Sequence, residues 1–195
     1  MTRMAFDGAS RDEDARLLAR YADGDREAAR VLVARLAPQA LNLARRMLGN
    51  QADAEDVVQE ALLRLWKMAP DWDPGRARVS TWLYRVVVNL CTDRRRRHQP
   101  VALPDGWDMA DDAPGAAAKM LQTARVAALQ GALDGLPDRQ RQAVILRDIQ
   151  GLTNPQIADV MELSVEAVES LAARGRRALK SALGGMRDEL GFADD

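Results

Sequence analysis

Apolar side chains recur every three or four residues between Asp53 and Trp66, which is the period of an amphipathic α-helix. The apolar positions are Ala54, Val57, Val58, Ala61, Leu62, Leu65 and Trp66. The polar positions between them are Asp53, Glu55, Asp56, Gln59 and Glu60. Acidic residues in a first helical turn also stabilise the helix dipole, so this polar face has a purely structural explanation. The segment therefore predicts a helix with one buried face and one acidic face.

A second helix is predicted from Ser80 to Asp93, after a turn rich in proline, aspartate and glycine at 70–75. It carries the aromatic residues Trp82 and Tyr84 and leads directly into four arginines at 94–97. An acidic helix and a basic, aromatic-bearing helix thus follow each other in the chain. Two surfaces of such different chemistry would suit two different partners.

The composition favours helices over strands. The 195 residues are 47% hydrophobic but only 4% aromatic, so the cores must consist mainly of Ala, Leu and Val. There is no apolar run of about 20 residues and no signal-peptide pattern, so we expect a cytoplasmic protein without membrane insertion. With one cysteine, Cys91, and one histidine, His98, we expect no disulfide, metal site or cofactor, and no nucleophile–base pair of an enzyme.

Charges are segregated along the chain although the formal net charge is only −1. Arginines cluster at 94–97 and again at 174–177, whereas acids cluster at 105–112 and at both termini. The acids offset two basic patches, and such patches are compatible with nucleic-acid binding.

The periodicity divides the chain into an all-α, two-domain protein. We expect a disordered N-terminus over 1–10, a helical domain over 11–98 whose first helix starts near Asp12, and a second helical domain over 119–186 followed by a tail at 187–195. Residues 99–118 are rich in Pro, Gly and Asp, lack periodicity, and predict a flexible acidic linker. Its large apolar residues are Trp107 and Met109. It is either a solvated spacer or a functional acidic segment.

The segment 153–180 has the spacing of a helix-turn-helix. Thr153 and Ser164 are predicted caps of its two helices, and Ala158 is small where the helices must cross. The turn residue, usually a left-handed glycine, is Glu162 here. A side chain at such a position costs on the order of 1 kcal/mol, which a packed domain tolerates.

Three stretches together resemble the extracytoplasmic-function (ECF) sigma factors of the sigma-70 family. They are the acidic helix at 53–66, the segment Ser-Thr-Trp-Leu-Tyr-Arg-Val-Val-Val-Asn-Leu at 80–90 and the segment Leu-Pro-Asp-Arg-Gln-Arg-Gln-Ala-Val-Ile-Leu-Arg at 136–147. The helix-turn-helix completes the match. The resemblance covers about Asp12 to Leu183 and implies sigma domains 2 and 4 joined directly. It implies a transcription-initiation factor of a stress-response regulon, with core RNA polymerase (β′ and β subunits), promoter DNA and an anti-sigma factor as partners.

The resemblance also implies roles for individual residues. The expected contacts with the core polymerase are Asp56, Gln59, Glu60, Leu63 and Trp66. The expected contacts with the downstream promoter element and its melted strand are Trp82, Tyr84, Arg85, Asn89, Asp93, Arg94 and Arg95. The expected contacts with the upstream element are Ser164, Glu166, Ala167, Glu169, Ser170, Arg174, Arg176 and Arg177. For Trp82, packing in the core is favoured over stacking on DNA.

The recognition helix departs from the family pattern. Relatives commonly carry Lys-Ser-Arg where this chain has Glu169-Ser170-Leu171. The loss of two cations should weaken phosphate binding. Glu169 could accept from a cytosine amino group or form an ion pair on the helix surface, and the sequence favours neither. The acidic linker would, by resemblance, run toward the RNA exit path.

Two other classes of function are weighed against the sigma factor. A stand-alone helix-turn-helix regulator would bind duplex DNA without polymerase, usually at a palindrome. The acidic face at 53–60 and the net charge speak against it. An enzyme is disfavoured by the absence of a nucleophile–base pair.

Overall fold

The computed structural model describes residues 3–75, 77–97 and 116–184, with side chains described in 13–75, 77–97 and 121–184. All regular structure in these ranges is helical, without a strand, so the all-α prediction is confirmed. The α-helices are α1 Arg3–Ala22, α2 Arg26–Leu48, α3 Gln51–Met68, α4 Val79–Arg97, α5 Ala116–Asp134, α6 Asp138–Val144, α7 Asn154–Met161 and α8 Val165–Gly184. A 3-10 turn at Ala69–Asp71 follows α3, and a π-helical turn at Ile145–Ile149 follows α6.

Helix α1 corrects the predicted beginning of the ordered chain. It starts at Arg3 rather than near Asp12, so residues 3–10 of the segment predicted to be disordered have a helical backbone. The segment lacks an apolar stripe, but its Met, Ala and Arg residues favour helix by intrinsic propensity, which a search for periodicity does not detect. At the other junction, α5 begins at Ala116, inside the predicted linker.

Several predicted features lie outside the described residues. They are most of the acidic linker, with Trp107 and Met109, the residue His98, and the tail at 187–195. The domain limits deduced from the sequence therefore stay predictions.

Helices α1 to α4 form what we call the N-terminal bundle. Helix α2 lies at its centre and packs on α1, α3 and α4. It begins at the N-cap Asp25, continues through Pro38, and ends at Gly49, whose left-handed backbone (φ 69°) returns its N–H to the Arg45 carbonyl. Glycine is the usual residue at a left-handed helix end. The proline lies within an unbroken helix.

Helices α5 to α8 form the C-terminal group, which is organised around a buried arginine. Arg141 is 1% exposed and donates to the carbonyl oxygens of Leu133 (2.7 Å), Asp134 (3.1 Å) and Leu136 (2.7 Å). These carbonyls lie at and just after the end of α5, where a helix has no intrahelical donors left. Arg141 therefore joins α6 to the C-terminal end of α5.

The N-terminal bundle and the C-terminal group are in direct contact. Helix α4 packs on α7, and α2 packs on α5 and on the π-helical turn. The buried Gln130 of α5 donates to the Arg46 carbonyl at the end of α2 (3.3 Å). The sequence had left the relative arrangement of the two parts open, and the structure places α4 between them.

Candidate functional site

The polar face of α3 is exposed and acidic, as predicted. Gln59 is exposed, and the side chains of Asp56 and Glu60 are 64% and 49% exposed. Leu63 follows on the same side of the helix and is 49% exposed, which is unusual for a leucine in a bundle. The structure therefore combines carboxylates, an amide and one exposed apolar side chain on one surface.

Trp66 differs from the other members of this predicted set. It is half-buried, and its ring lies 4.7 Å from that of Tyr21 in α1, at an interplanar angle of 53°. This geometry is typical of aromatic packing between helices. Trp66 thus supports α3 from within the bundle, whereas Leu63 faces outward.

Helix α4 carries its two aromatic residues inward. Tyr84 is 5% exposed, and its hydroxyl donates to Gln39 of α2. Burial raises the pKa of Tyr84 to about 12. The burial follows from the position of Tyr84 on the apolar face of α4, and its predicted contact with DNA stays a prediction. Trp82 is half-buried and packs edge-to-face on Trp72 with ring centroids 6.2 Å apart, in line with the favoured core role.

The remaining predicted residues of α4 lie on three different faces. Asn89 and Asp93 are exposed. Arg94 turns toward α3, where it contacts Asp53 (2.7 Å) and Asp56 (3.0 Å). The other two arginines of the predicted set, at 85 and 95, face the C-terminal group. The structure therefore does not bring the predicted DNA contacts of α4 together on one open surface.

A groove of about 300 Å³ lies between α3 and α4. Its walls come from both predicted sites, the polymerase contacts of α3 and the DNA contacts of α4. The lining residues are Asp56, Val57, Glu60, Leu90, Asp93, Arg94 and Arg97. The two predicted surfaces are therefore adjacent and share their charged border.

The helix-turn-helix consists of α7, the turn 162–164 and α8. Thr153 is the N-cap of α7, and its backbone N–H donates to Gln156 Oε1 (2.8 Å). Ser164 Oγ accepts from the N–H of Ala167 (3.2 Å) at the start of α8. Both predicted caps are confirmed. Glu162 has the predicted left-handed backbone, with φ 54° and ψ 50°.

Helix α8 presents a polar surface to solvent. Its exposed predicted residues are Ser164, Glu166, Glu169, Ser170, Arg174, Arg176 and Arg177, whereas Ala167 is half-buried. Hydrogen bonds from its own backbone N–H and from the Ser164 hydroxyl lower the pKa of the Glu166 carboxyl. Glu169 accepts a hydrogen bond from Asn154 Nδ2 at 2.8 Å. Its carboxylate is therefore oriented by an amide of α7 in this structure.

Three acidic partners of the α4 arginines were not predicted from the sequence. Asp134 and Asp138 contact Arg95 (3.1 and 3.5 Å), and Glu162 contacts Arg85 (2.9 Å). The sequence marked Glu162 only as an unusual turn residue, and it gave Asp134 and Asp138 no role. Their roles depend on contacts across 39 to 77 residues of chain, which no local pattern reveals.

Other kinds of site find no support among the described residues. No group of three or more His, Cys, Asp or Glu side chains there could hold a metal ion. Cys91 is buried, and burial raises the pKa of its thiol to about 12. A membrane-spanning helix is likewise missing from the part of the chain searched.

Comparison with known proteins shows to which family the chain belongs. A family model of Sigma-70 region 2 matches residues 32–101, and one of Sigma-70 region 4 matches residues 127–179. Over 184 residues the chain is 36% identical to the ECF RNA polymerase sigma factor SigM of Mycobacterium tuberculosis, covering 93% of this chain and 90% of SigM. The chain belongs to the ECF sigma factors.

Two further comparisons extend the resemblance. The ECF sigma factor SigE of Mycolicibacterium smegmatis is 36% identical over 78% of this chain, which spans 60% of the length of SigE. Among solved structures, CnrH of Cupriavidus metallidurans, in complex with the cytosolic domain of CnrY, superimposes with a TM-score of 0.69 at 31% identity. That match covers 89% of this chain and 98% of CnrH.

The family assignment places the described surfaces within known parts of a sigma factor. The region 2 match covers α2 from residue 32 onward and all of α3 and α4, with the acidic face and the groove. The region 4 match covers residues 127–134 of α5, all of α6 and α7, and α8 as far as residue 179. Each hydrogen bond and ion pair described above between the N-terminal bundle and the C-terminal group therefore joins a region 2 residue to a region 4 residue.

Proposed function

We propose that this ECF sigma factor binds core RNA polymerase through the exposed face of α3 and directs it to promoters. The observation that carries the proposal is the acidic surface of Asp56, Gln59 and Glu60 with the exposed Leu63 beside it. Polar side chains around an exposed apolar one are typical of an interface with a protein partner. Trp66 acts from within by holding α3 on α1.

Promoter DNA is contacted by two helices. In α4, Arg85, Asn89, Asp93, Arg94 and Arg95 form the set that contacts the downstream element and the separated strand, and Tyr84 and Trp82 hold the helix in the bundle. In α8, the exposed residues from Ser164 to Ser170 face the upstream element, and Arg174, Arg176 and Arg177 lie near phosphates. Support comes from the capped helix-turn-helix and from the exposure of the side chains of α8.

The chain itself performs no covalent chemistry in this proposal. Binding to the separated strands drives opening of the promoter, while the polymerase joins nucleotides. The protein acts in the cytoplasm, where the polymerase is. Since CnrH was solved with the cytosolic domain of CnrY, we extend the proposal to control by an anti-sigma factor and to a stress-response regulon.

The test is co-elution of the purified chain with sigma-free bacterial core RNA polymerase. We expect the wild type to co-elute with the polymerase and the double variant Asp56→Ala with Gln59→Ala to elute separately from it. Glu27→Ala with Arg30→Ala, an exposed pair on α2, is the matched control and should co-elute like the wild type. If the wild-type protein does not bind core polymerase but binds palindromic duplex DNA, the result would contradict the proposal and favour a stand-alone regulator.

A further inference from the structure

One face of α4 carries three polar side chains that contact the C-terminal group. Arg85, Thr92 and Arg95 are seven and three residues apart, so they lie on the same side of the helix. At one end, Arg85 donates to Glu162 Oε1 (2.9 Å) and to the backbone carbonyl of Asp159 (2.5 Å). Both acceptors belong to α7 and its turn. The helix-turn-helix is therefore attached to α4 through the position where α7 ends.

The same face is held at its other end by the helices that precede the helix-turn-helix. Arg95 lies 3.1 Å from Asp134 and 3.5 Å from Asp138. Between the two arginines, Thr92 Oγ1 accepts from Nε2 of Gln142, which is 3% exposed (2.9 Å). A buried polar contact flanked by two ion pairs extends along about three turns of α4. This length indicates a built interface rather than a single chance contact.

Glu162 is unfavourable at its position unless its side chain has a role. With φ 54°, it is the only residue other than glycine with a positive φ in the described part of the chain. A side chain there disfavours this backbone roughly five- to thirtyfold relative to glycine. Its N–H bond to the Ala158 carbonyl would be equally available to glycine. What glutamate adds is the carboxylate that contacts Arg85.

We propose that the C-terminal group covers α4 in the free chain, held by the pairs Glu162–Arg85 and Asp134–Arg95. The proposal rests on the proposed function, in which Arg85 and Arg95 contact promoter DNA. A phosphate and a carboxylate compete for the same guanidinium donors. Pairing with Glu162 and Asp134 therefore excludes DNA from both arginines, and the strand reaches them only after region 4 separates from region 2.

The distance between the two parts tests closure without DNA or polymerase. Spin labels at Val31→Cys in α2 and Ala173→Cys in α8, in a Cys91→Ala background, report this distance by pulsed dipolar spectroscopy. The reversal variant is Glu162→Lys with Asp134→Lys, which places like charges opposite Arg85 and Arg95. We expect it to raise the open population about tenfold, since each such pair changes an equilibrium by a few-fold.

The control must carry the same charge change away from the interface. Glu27→Lys with Asp71→Lys meets this condition, because both carboxylates are exposed and lie within the N-terminal bundle, in the first turn of α2 and in the 3-10 turn after α3. The control should give the wild-type distance distribution. A wild-type chain that is already open, or a reversal variant as closed as the control, would overturn the proposal. A chain that closes only when an anti-sigma factor binds would overturn it as well.

Binding of a labelled single-stranded DNA of mixed sequence to the free chain tests whether the C-terminal group keeps DNA away from α4. The reversal variant should bind several-fold more tightly than the control of equal charge. If the reversal variant opens but binds the DNA no more tightly than the control, the C-terminal group does not exclude DNA from α4 and the proposal is wrong. Failure of the wild type and the control to co-elute with core polymerase would instead count against the proposed function. The distances between the spin labels would still show whether the free chain is closed.

Glu162→Gly provides a second variant if the reversal variant does not fold. Glycine removes the carboxylate and relieves the left-handed backbone at the same time. We expect a thermally more stable C-terminal group together with a larger open population. A rise in stability without opening would show that Glu162 does not hold α4, and would overturn its assigned role.

Discussion

Arg94 Nη2 lies 3.0 Å from Asp56 Oδ2, so a residue assigned to DNA is paired with one assigned to the polymerase. The same guanidinium lies 2.7 Å from Asp53 Oδ1. Asp53 is 27% exposed and Asp56 64% exposed, and the two acids occupy adjacent positions of one helix turn. Arg94 thereby joins α4 to α3 at the border of the groove between them.

The difference in exposure between the two acids predicts different effects of their removal. Asp56→Ala should weaken core polymerase binding about fivefold, since truncation of an interface side chain commonly costs on the order of 1 kcal/mol. Asp53→Ala removes an Arg94 contact of similar length but little accessible surface, and should leave the affinity near the wild-type value. Equilibrium binding of each variant to labelled core polymerase measures both. Equal losses would assign the effect to Arg94 and α4 rather than to a contact made by Asp56.

The arginines near the middle of α8 predict a change in salt dependence. Arg176 and Arg177 are exposed, and Arg176 lies 3.5 Å from Asp148. If both neutralise phosphates, Arg176→Ala with Arg177→Ala should reduce the slope of log affinity against log salt by about 2. The measurement is binding of the holoenzyme to promoter DNA over a range of salt. Arg20→Ala with Arg30→Ala in the N-terminal bundle is the control of equal charge, and an equal change in its slope would contradict the assignment.

Two helical glycines predict stability changes of opposite sign. A Cβ on Gly175 in α8 would lie 2.6 Å from Val144 Cγ2 and 3.1 Å from the Gln140 carbonyl oxygen. Overpacking of this kind costs about 1–3 kcal/mol, which outweighs the gain of about 1 kcal/mol in helix propensity. Gly131 in α5 has nothing within 4 Å of its added Cβ, so it should show the gain alone. Urea denaturation of Gly175→Ala and Gly131→Ala checks the pair, and stabilisation by both would show that α6 and α8 are not in close contact.

Cys91 predicts a loss of stability at alkaline pH. Well below pH 9 its thiol is neutral in both the folded and the unfolded chain. Above its ordinary pKa of 9.0 the unfolded chain loses the proton, while burial keeps the folded thiol protonated up to a pKa of about 12. Stability should therefore fall as pH rises from 9 toward 12.

Cys91→Ala isolates this contribution from that of Tyr84, whose pKa is raised in the same direction. The variant should be less stable than the wild type at pH 7, because a buried side chain is shortened. This difference should shrink above pH 9, since only the wild type carries the thiol. Denaturation curves at pH 7 to 10.5 measure the difference, and a difference that stays constant over this range would show that Cys91 is not buried in the folded state.

Local patterns predicted the helices that carry both candidate surfaces. Apolar spacing defined the buried faces of α3 and α4, and the caps at Thr153 and Ser164 were confirmed. These features depend on residues within one or two turns of each other, so the sequence contains all of the information. The start of α1 was missed because helix propensity without an apolar stripe leaves no periodic pattern.

The sequence by itself determined the helical architecture, the acidic face of α3 and the family resemblance. Tertiary structure alone decided what each polar residue of α4 contacts. In the sequence Arg85, Arg94 and Arg95 are equivalent cations on a basic helix, but the structure directs Arg94 to α3 and the other two to the C-terminal group. The physical reason is that partners such as Glu162 and Asp134 lie many residues away in the chain, and only the packing of α4 on α7 and of α2 on α5 brings their charges within ion-pair distance.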